Sequence, residues 1–162
     1  MKNLIITIAI SLICTGAGAE WNYVSDTDTM TGKPMNAALL RSSNSLSLGS
    51  PYNGENYGTL LVAKDKQIGF AFGLSVEKGQ IICDAYRGCA VAFRFDDAPP
   101  TTFRAVTTKD YSTKNLAFRD GRRFVAAAAK AKKILVQITM YQEGAQVLEF
   151  NTTKPLEWKA TK

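Results

Sequence analysis

Histidine is absent from this sequence of 162 residues. That removes Ser-His-Asp and Cys-His catalysis, His-ligated zinc and haem, and the side chain that ordinarily titrates near neutral pH. Cysteine is scarce, with 3 residues, which excludes a disulfide-dense miniprotein. With 5 prolines and 12 glycines, the chain is neither collagen-like nor a Pro-rich disordered segment. No apolar run approaches the roughly 20 residues of a membrane-spanning helix. Acidic residues are the minority, 14 against 20 Lys and Arg, and leave a formal charge of +6. The remainder is globular in character, 46% hydrophobic and 21% charged, at a length suited to one domain.

Residues 1–19 have the pattern of an export signal. Lys2 supplies the positive start, residues 4–13 the short apolar stretch, and Ala17 and Ala19 the small-x-small site for cleavage after Ala19. Cys14 is not a lipoprotein cysteine on this reading, because the bulky Ile13 precedes it where a small residue is needed. Residues 20–162 are then a single periplasmic domain of formal charge +5, Lys2 having been lost with the signal. Its two cysteines, Cys83 and Cys89, imply one disulfide in an oxidising compartment, spanning a turn between two paired strands. Closing so short a ring stabilises by roughly 2–3 kcal/mol in the chain-entropy model.

Apolar residues recur with period two, as in strands with one buried face. Ile68, Phe70, Phe72 and Leu74 form one such face; Val91, Phe93 and Phe95 a second; Ile134, Val136, Ile138 and Met140 a third. Shorter strand candidates are residues 37–41, 59–63, 79–83, 102–106, 115–118 and 147–150, separated by turn-forming clusters such as Asp96-Asp97-Ala98-Pro99-Pro100. Frequent short strands predict a mainly β fold, an antiparallel β-sandwich or a partly open barrel. One stretch departs from the pattern. Residues 119–133 hold good helix formers, including four consecutive alanines, with Asp120 as the N-cap. At 100° per residue, Arg119, Arg122, Arg123, Lys130 and Lys133 share one face, while Phe124, Val125, Ala128 and Ala131 share the other. A single helix in the C-terminal half is therefore expected to pack its Phe-Ala face on the sheet.

That one-signed basic face is the most specific feature after the export signal, and suits anionic lipid, lipopolysaccharide phosphates or an acidic protein partner. Nucleic acid is set aside because the chain is exported. The Tyr86-Arg87 loop, held in shape by Cys83 and Cys89, is the second candidate binding element, since preorganisation lowers the ordering cost of binding. Catalytic and metal readings are weak. Asp96-Asp97 precedes Pro-Pro as a turn would, adjacent carboxylates cannot flank a glycosidic bond, and no calcium-loop spacing occurs. Serine is plentiful at residues 42–45, but there is no G-x-S-x-G elbow. No catalytic residue, cofactor or metal ligand is assigned. Trp21 and Trp158, near the two ends of the exported domain, are expected to plug a small core.

The order Trp21-Asn22-Tyr23, Asp28-Thr29-Met30-Thr31-Gly32-Lys33, Ser50-Pro51-Tyr52-Asn53-Gly54, Cys83 and Cys89, Arg94-Phe95-Asp96-Asp97, Lys130-Ala131-Lys132-Lys133, Tyr141-Gln142-Glu143-Gly144 and Leu156-Glu157-Trp158 resembles small exported bacterial proteins of prophages and plasmids. More distantly it is similar to the periplasmic type VI secretion accessory proteins TagO and VasI, through the early Trp, the Arg-x-Asp-Asp strand end and a late helix before two strands. Neither resemblance implies a catalytic residue. The expected function is a non-catalytic envelope accessory or interaction protein. The alternatives are prophage superinfection exclusion, lysozyme inhibition and type VI secretion; an envelope hydrolase ranks last. A charge of +5 would steer an inhibitor poorly towards basic lysozymes.

Overall fold

The computed structural model describes residues 19–27, 32, 34–65, 69–108 and 112–158. Residues 1–18, Cys14 included, lie outside the described residues, as do Asp28, Lys33, Gln67, Ile68, Asp110 and Tyr111.

The described chain is mainly β. Its strands are β1 (Asn22–Thr27), β2 (Pro34–Arg41), β3 (Gly58–Asp65), β4 (Gly69–Val76), β5 (Cys89–Phe95), β6 (Thr101–Thr107), β7 (Asn115–Phe118), β8 (Lys133–Met140) and β9 (Gly144–Asn151). One helix, α1 (Gly121–Ala128), lies between β7 and β8. All nine strands join a single sheet in the order β1-β2-β3-β4-β7-β6-β5-β8-β9, each neighbour antiparallel. Of the two expected architectures, the molecule adopts the single open sheet rather than two stacked ones.

The alternating apolar residues of the described strands line the inner face. Leu60 and Val62, Phe72 and Leu74, Val91 and Phe93, Phe103 and Ala105, Ile134 and Val136, and Leu148 and Phe150 are buried in one cluster. A single sheet can bury one whole face without a second layer only by curling on itself. The curl brings β3 to β9, far apart in strand order: a Cβ added to Gly58 would stand 2.5 Å from a Leu148 methyl. The seam is sealed by the connection after β2. The Ser43 amide donates to the Glu149 carbonyl (2.6 Å), the Glu149 amide to Asn44 Oδ1 (2.7 Å), and the Asn151 amide to Ser43 Oγ (2.9 Å). These bonds satisfy the β9 edge, which would otherwise invite pairing with another chain. The serines that stood out in the sequence are thus structural: Ser42 Oγ accepts from the Gly58 amide (2.9 Å) and Ser45 Oγ from the amide of the buried Asn56 (2.8 Å).

At the centre, six phenylalanines pack ring against ring: Phe72, Phe93, Phe95, Phe103, Phe118 and Phe124. Phe124 is the contribution of α1 and stacks on Phe72 at 4.3 Å. Trp21 is buried in the same core, and Trp158 meets Phe70 edge-on at 5.3 Å.

Two expectations need correction, and one strand is unexpected. The segment 79–83 is not a strand; it makes a single bridge, Ile81 to Met140. Strand β1, with all six residues exposed, lacks the apolar alternation that reveals a strand in sequence. The helix is shorter than residues 119–133. Asp120 sits at its start with φ 62°, in the left-handed region, and its carboxylate caps nothing. Gly121 follows because β4 leaves no room: a Cβ there would lie 1.9 Å from the Phe70 carbonyl oxygen. The helix ends at Ala128 because the chain is recaptured by the sheet. Asp96 Oδ1 accepts from the amides of Lys132 (3.0 Å) and Lys133 (2.8 Å), which starts β8, and the Leu156 amide donates to the Ala128 carbonyl (3.0 Å).

Candidate anion-binding surface

The disulfide is formed, with Cys83 and Cys89 Cα atoms 5.1 Å apart. It closes a turn rather than joining two long paired strands: inside the ring, Asp84 and Gly88 make one antiparallel bridge, and β5 begins at Cys89. Gly88 has φ 69°, and a Cβ there would lie 2.3 Å from the Ala105 carbonyl oxygen, so the return of the turn needs glycine on both counts. Asp84 organises the interior. Its Oδ1 accepts from the Arg87 amide (2.6 Å) and the Tyr86 amide (2.9 Å), and its Oδ2 lies 3.4 Å from Arg87 Nη2. From outside, Arg104 Nη2 donates to the Arg87 carbonyl (2.5 Å). The loop is therefore fixed covalently, by its own carboxylate and by a neighbouring strand, yet it presents Tyr86 at 99% exposure.

The Arg87 amide, then the Tyr86 amide, hold the Asp84 carboxyl below its ordinary value of 3.8. A group whose pKa is depressed by folding contributes order above its unfolded value and loses it as pH falls through the folded one. The expected outcome is that the Tyr86 and Arg87 amides stay protected down to about pH 4 and lose protection below it. Amide exchange followed by NMR between neutral and strongly acidic pH reads this directly; protection unchanged in D84A would show that the carboxylate does not order the turn.

Arg104 also begins a basic belt. Phe103 and Ala105 point inward, so Arg104 lies on the outer face of β6. Opposite it, Arg119 follows Phe118 out of β7 and its amide donates to the Arg104 carbonyl (3.0 Å), which sets two exposed arginines on adjacent strands. Arg119 then shares an open cleft of about 670 Å³ with Arg122 and Arg123 of α1, which Phe70, Phe118 and the acidic Asp120 also line. Arg123 is positioned twice, with its guanidinium 4.1 Å above the Phe103 ring and Nη2 donating to the Thr102 carbonyl (2.6 Å). Arg122 lies across Gly69, its Nε 3.1 Å from where a Cβ would stand. Among the described residues, none of Arg104, Arg119, Arg122 and Arg123 has a carboxylate partner; Arg87 has Asp84.

The structure thus redraws the basic face read from the sequence. Arg119, Arg122 and Arg123 stay together at the cleft. Lys130 is exposed on the turn after α1, and Lys133 opens β8 in an ion pair with Glu149 (3.1 Å), so neither belongs to a helical stripe. Arg104 was missed because nothing local distinguishes it from any polar residue alternating along a strand. Only the register Ala105 to Phe118 puts it between the disulfide loop and the helix.

Elsewhere, charged groups serve the fold. Asp97 faces Arg94 at 3.7 Å, and Arg41 both pairs with Glu77 (3.0 Å) and stacks 3.5 Å over Tyr57. The Arg41 guanidinium holds the Glu77 carboxyl below its usual range, and the Asn151 amide group, then Lys133, do the same for Glu149. No group of three or more His, Cys, Asp or Glu among the described residues could hold a metal ion. No helix among them is long and apolar enough to cross a membrane.

The site and fold together define a curled, open antiparallel sheet carrying a cationic surface next to a stapled loop. Set against protein-family models, curated proteins and solved structures, the chain matches none.

Proposed function

We propose that this is an exported, non-catalytic interaction protein of the cell envelope, which docks on an anionic envelope component through the belt Arg87–Arg104–Arg119–Arg122–Arg123. Export to the periplasm, with cleavage after Ala19, is supported by the signal pattern of residues 1–19 and by the pairing of both downstream cysteines. The observation that carries the binding reading is the belt itself. Four of its five guanidiniums have no carboxylate partner among the described residues, and they converge on one cleft and one loop. Like charges that outnumber nearby carboxylates repel one another, and a phosphate-rich surface relieves that repulsion. Arginine forks suit phosphate oxygens of lipid head groups or lipopolysaccharide.

The test is co-sedimentation of the exported domain with phosphatidylglycerol vesicles and with lipopolysaccharide. Arg119→Glu with Arg122→Glu reverses two side chains that make no ion pair among the described residues. With basic residues near an anionic surface contributing about 1 kcal/mol each, the double reversal is expected to weaken binding roughly thirtyfold or more at low salt. Undiminished binding by the correctly folded double variant would remove the belt from the function.

A further inference from the structure

The belt ends at a tip of different chemistry. Tyr86 is 99% exposed in the stapled loop, Ile82, 52% exposed, directly precedes Cys83, and Tyr141 is 55% exposed. Register sets Ile82 and Tyr141 on one face. Ile81 bridges Met140, the Ile82 amide donates to the Thr139 carbonyl (2.8 Å), and the Tyr141 amide to the Gln80 carbonyl (2.8 Å). Ile81 and Met140 point into the core, which turns Ile82 and Tyr141 outward. None of the three lines the clefts at the α1 end, at the β1–β2 hairpin or beside Tyr52. The group is aromatic and aliphatic, with Arg87 in the same loop as Tyr86 and Arg104 bonded to the Arg87 carbonyl.

We infer that Tyr86, Ile82 and Tyr141 form an insertion tip that enters the interfacial zone of an anionic phospholipid bilayer while the arginines hold its phosphates. This rests on the belt reading and narrows its anionic component to a membrane. Charge favours an anionic surface, since Arg87 lies in the loop itself and Arg104, bonded to the Arg87 carbonyl, has no carboxylate partner among the described residues. The chemistry also fits, since tyrosine rings settle at the headgroup level and peripheral binding grows with buried apolar area plus charge attraction. The staple fits as well: a loop ordered beforehand loses little freedom on insertion.

The experiment uses the disulfide-bonded domain and vesicles of phosphatidylcholine with phosphatidylglycerol. Tyr86→Trp gives a reporter whose emission, taken as the difference from the native protein, should shift to the blue and be quenched by brominated acyl chains. Tyr86→Ala should bind roughly five- to tenfold more weakly, with a smaller loss for Ile82→Ala. If Tyr86→Ala binds as the native protein does and Trp at position 86 stays in water, while the Arg119→Glu/Arg122→Glu variant still loses binding, the tip proposal falls and the belt reading stands. Binding to lipopolysaccharide but not to phospholipid vesicles has the same consequence. If neither surface is bound, both fall.

Discussion

Replacing Phe124 with alanine is expected to lower the free energy of unfolding by about 3–5 kcal/mol, a large part of what a domain of this size possesses. The ring is fully buried and touches Phe72, Phe93, Phe95 and Phe103, so its removal opens a cavity walled by rigid aromatics that cannot collapse into it. The loss is more than local because Phe124 is the principal anchor of an eight-residue helix, too short to persist unpacked. Denaturant titration should show a lower midpoint with the slope unchanged. Arg122→Ala, two residues away on the exposed face, should change the free energy of unfolding by less than about 0.5 kcal/mol. Equal effects from the two would mean that helix propensity, not the aromatic stack, holds α1 in place.

The second large effect is expected from the disulfide. Cys83→Ser with Cys89→Ser frees a seven-residue ring in the unfolded chain and should cost about 2–3 kcal/mol. Here the effect has two readouts. The unfolding midpoint reports the entropy of the whole chain, whereas amide exchange at Tyr86 and Arg87 reports the loop. Since Asp84 and Arg104 hold the loop independently, its protection should fall only partly in the double serine variant and collapse when Asp84→Ala is added. A midpoint unmoved by the serines would show that the unfolded chain is already constrained around this turn.

Much of the architecture was legible because its signal is local. Phe70, Phe72 and Leu74, or Ile134, Val136 and Ile138, alternate with small and polar residues, and alternation is what a half-buried strand imposes on its own sequence. The helix was legible for the same reason, though not its end. Residues 129–133 retain helical propensity, but the carboxylate of Asp96, brought there by β5 and β8 pairing, captures the amides of Lys132 and Lys133 and outweighs it. Strand β1 had no inward face to announce it, and 79–83 had the composition of a strand but only one bridge to pair with.

The sequence by itself determined the strand-rich class, the lone helix and the cysteine pair, because periodicity, propensity and the close spacing of Cys83 and Cys89 act over a few residues. Only the tertiary structure decided that nine strands share one curled sheet and that the basic face loses Lys130 and Lys133 and gains Arg104. It also turned Ile82 and Tyr141 outward on one face, by bridging Ile81 to Met140. These are matters of register between distant segments, and a hydrogen bond from Arg119 to Arg104 leaves no trace in either neighbourhood of the chain.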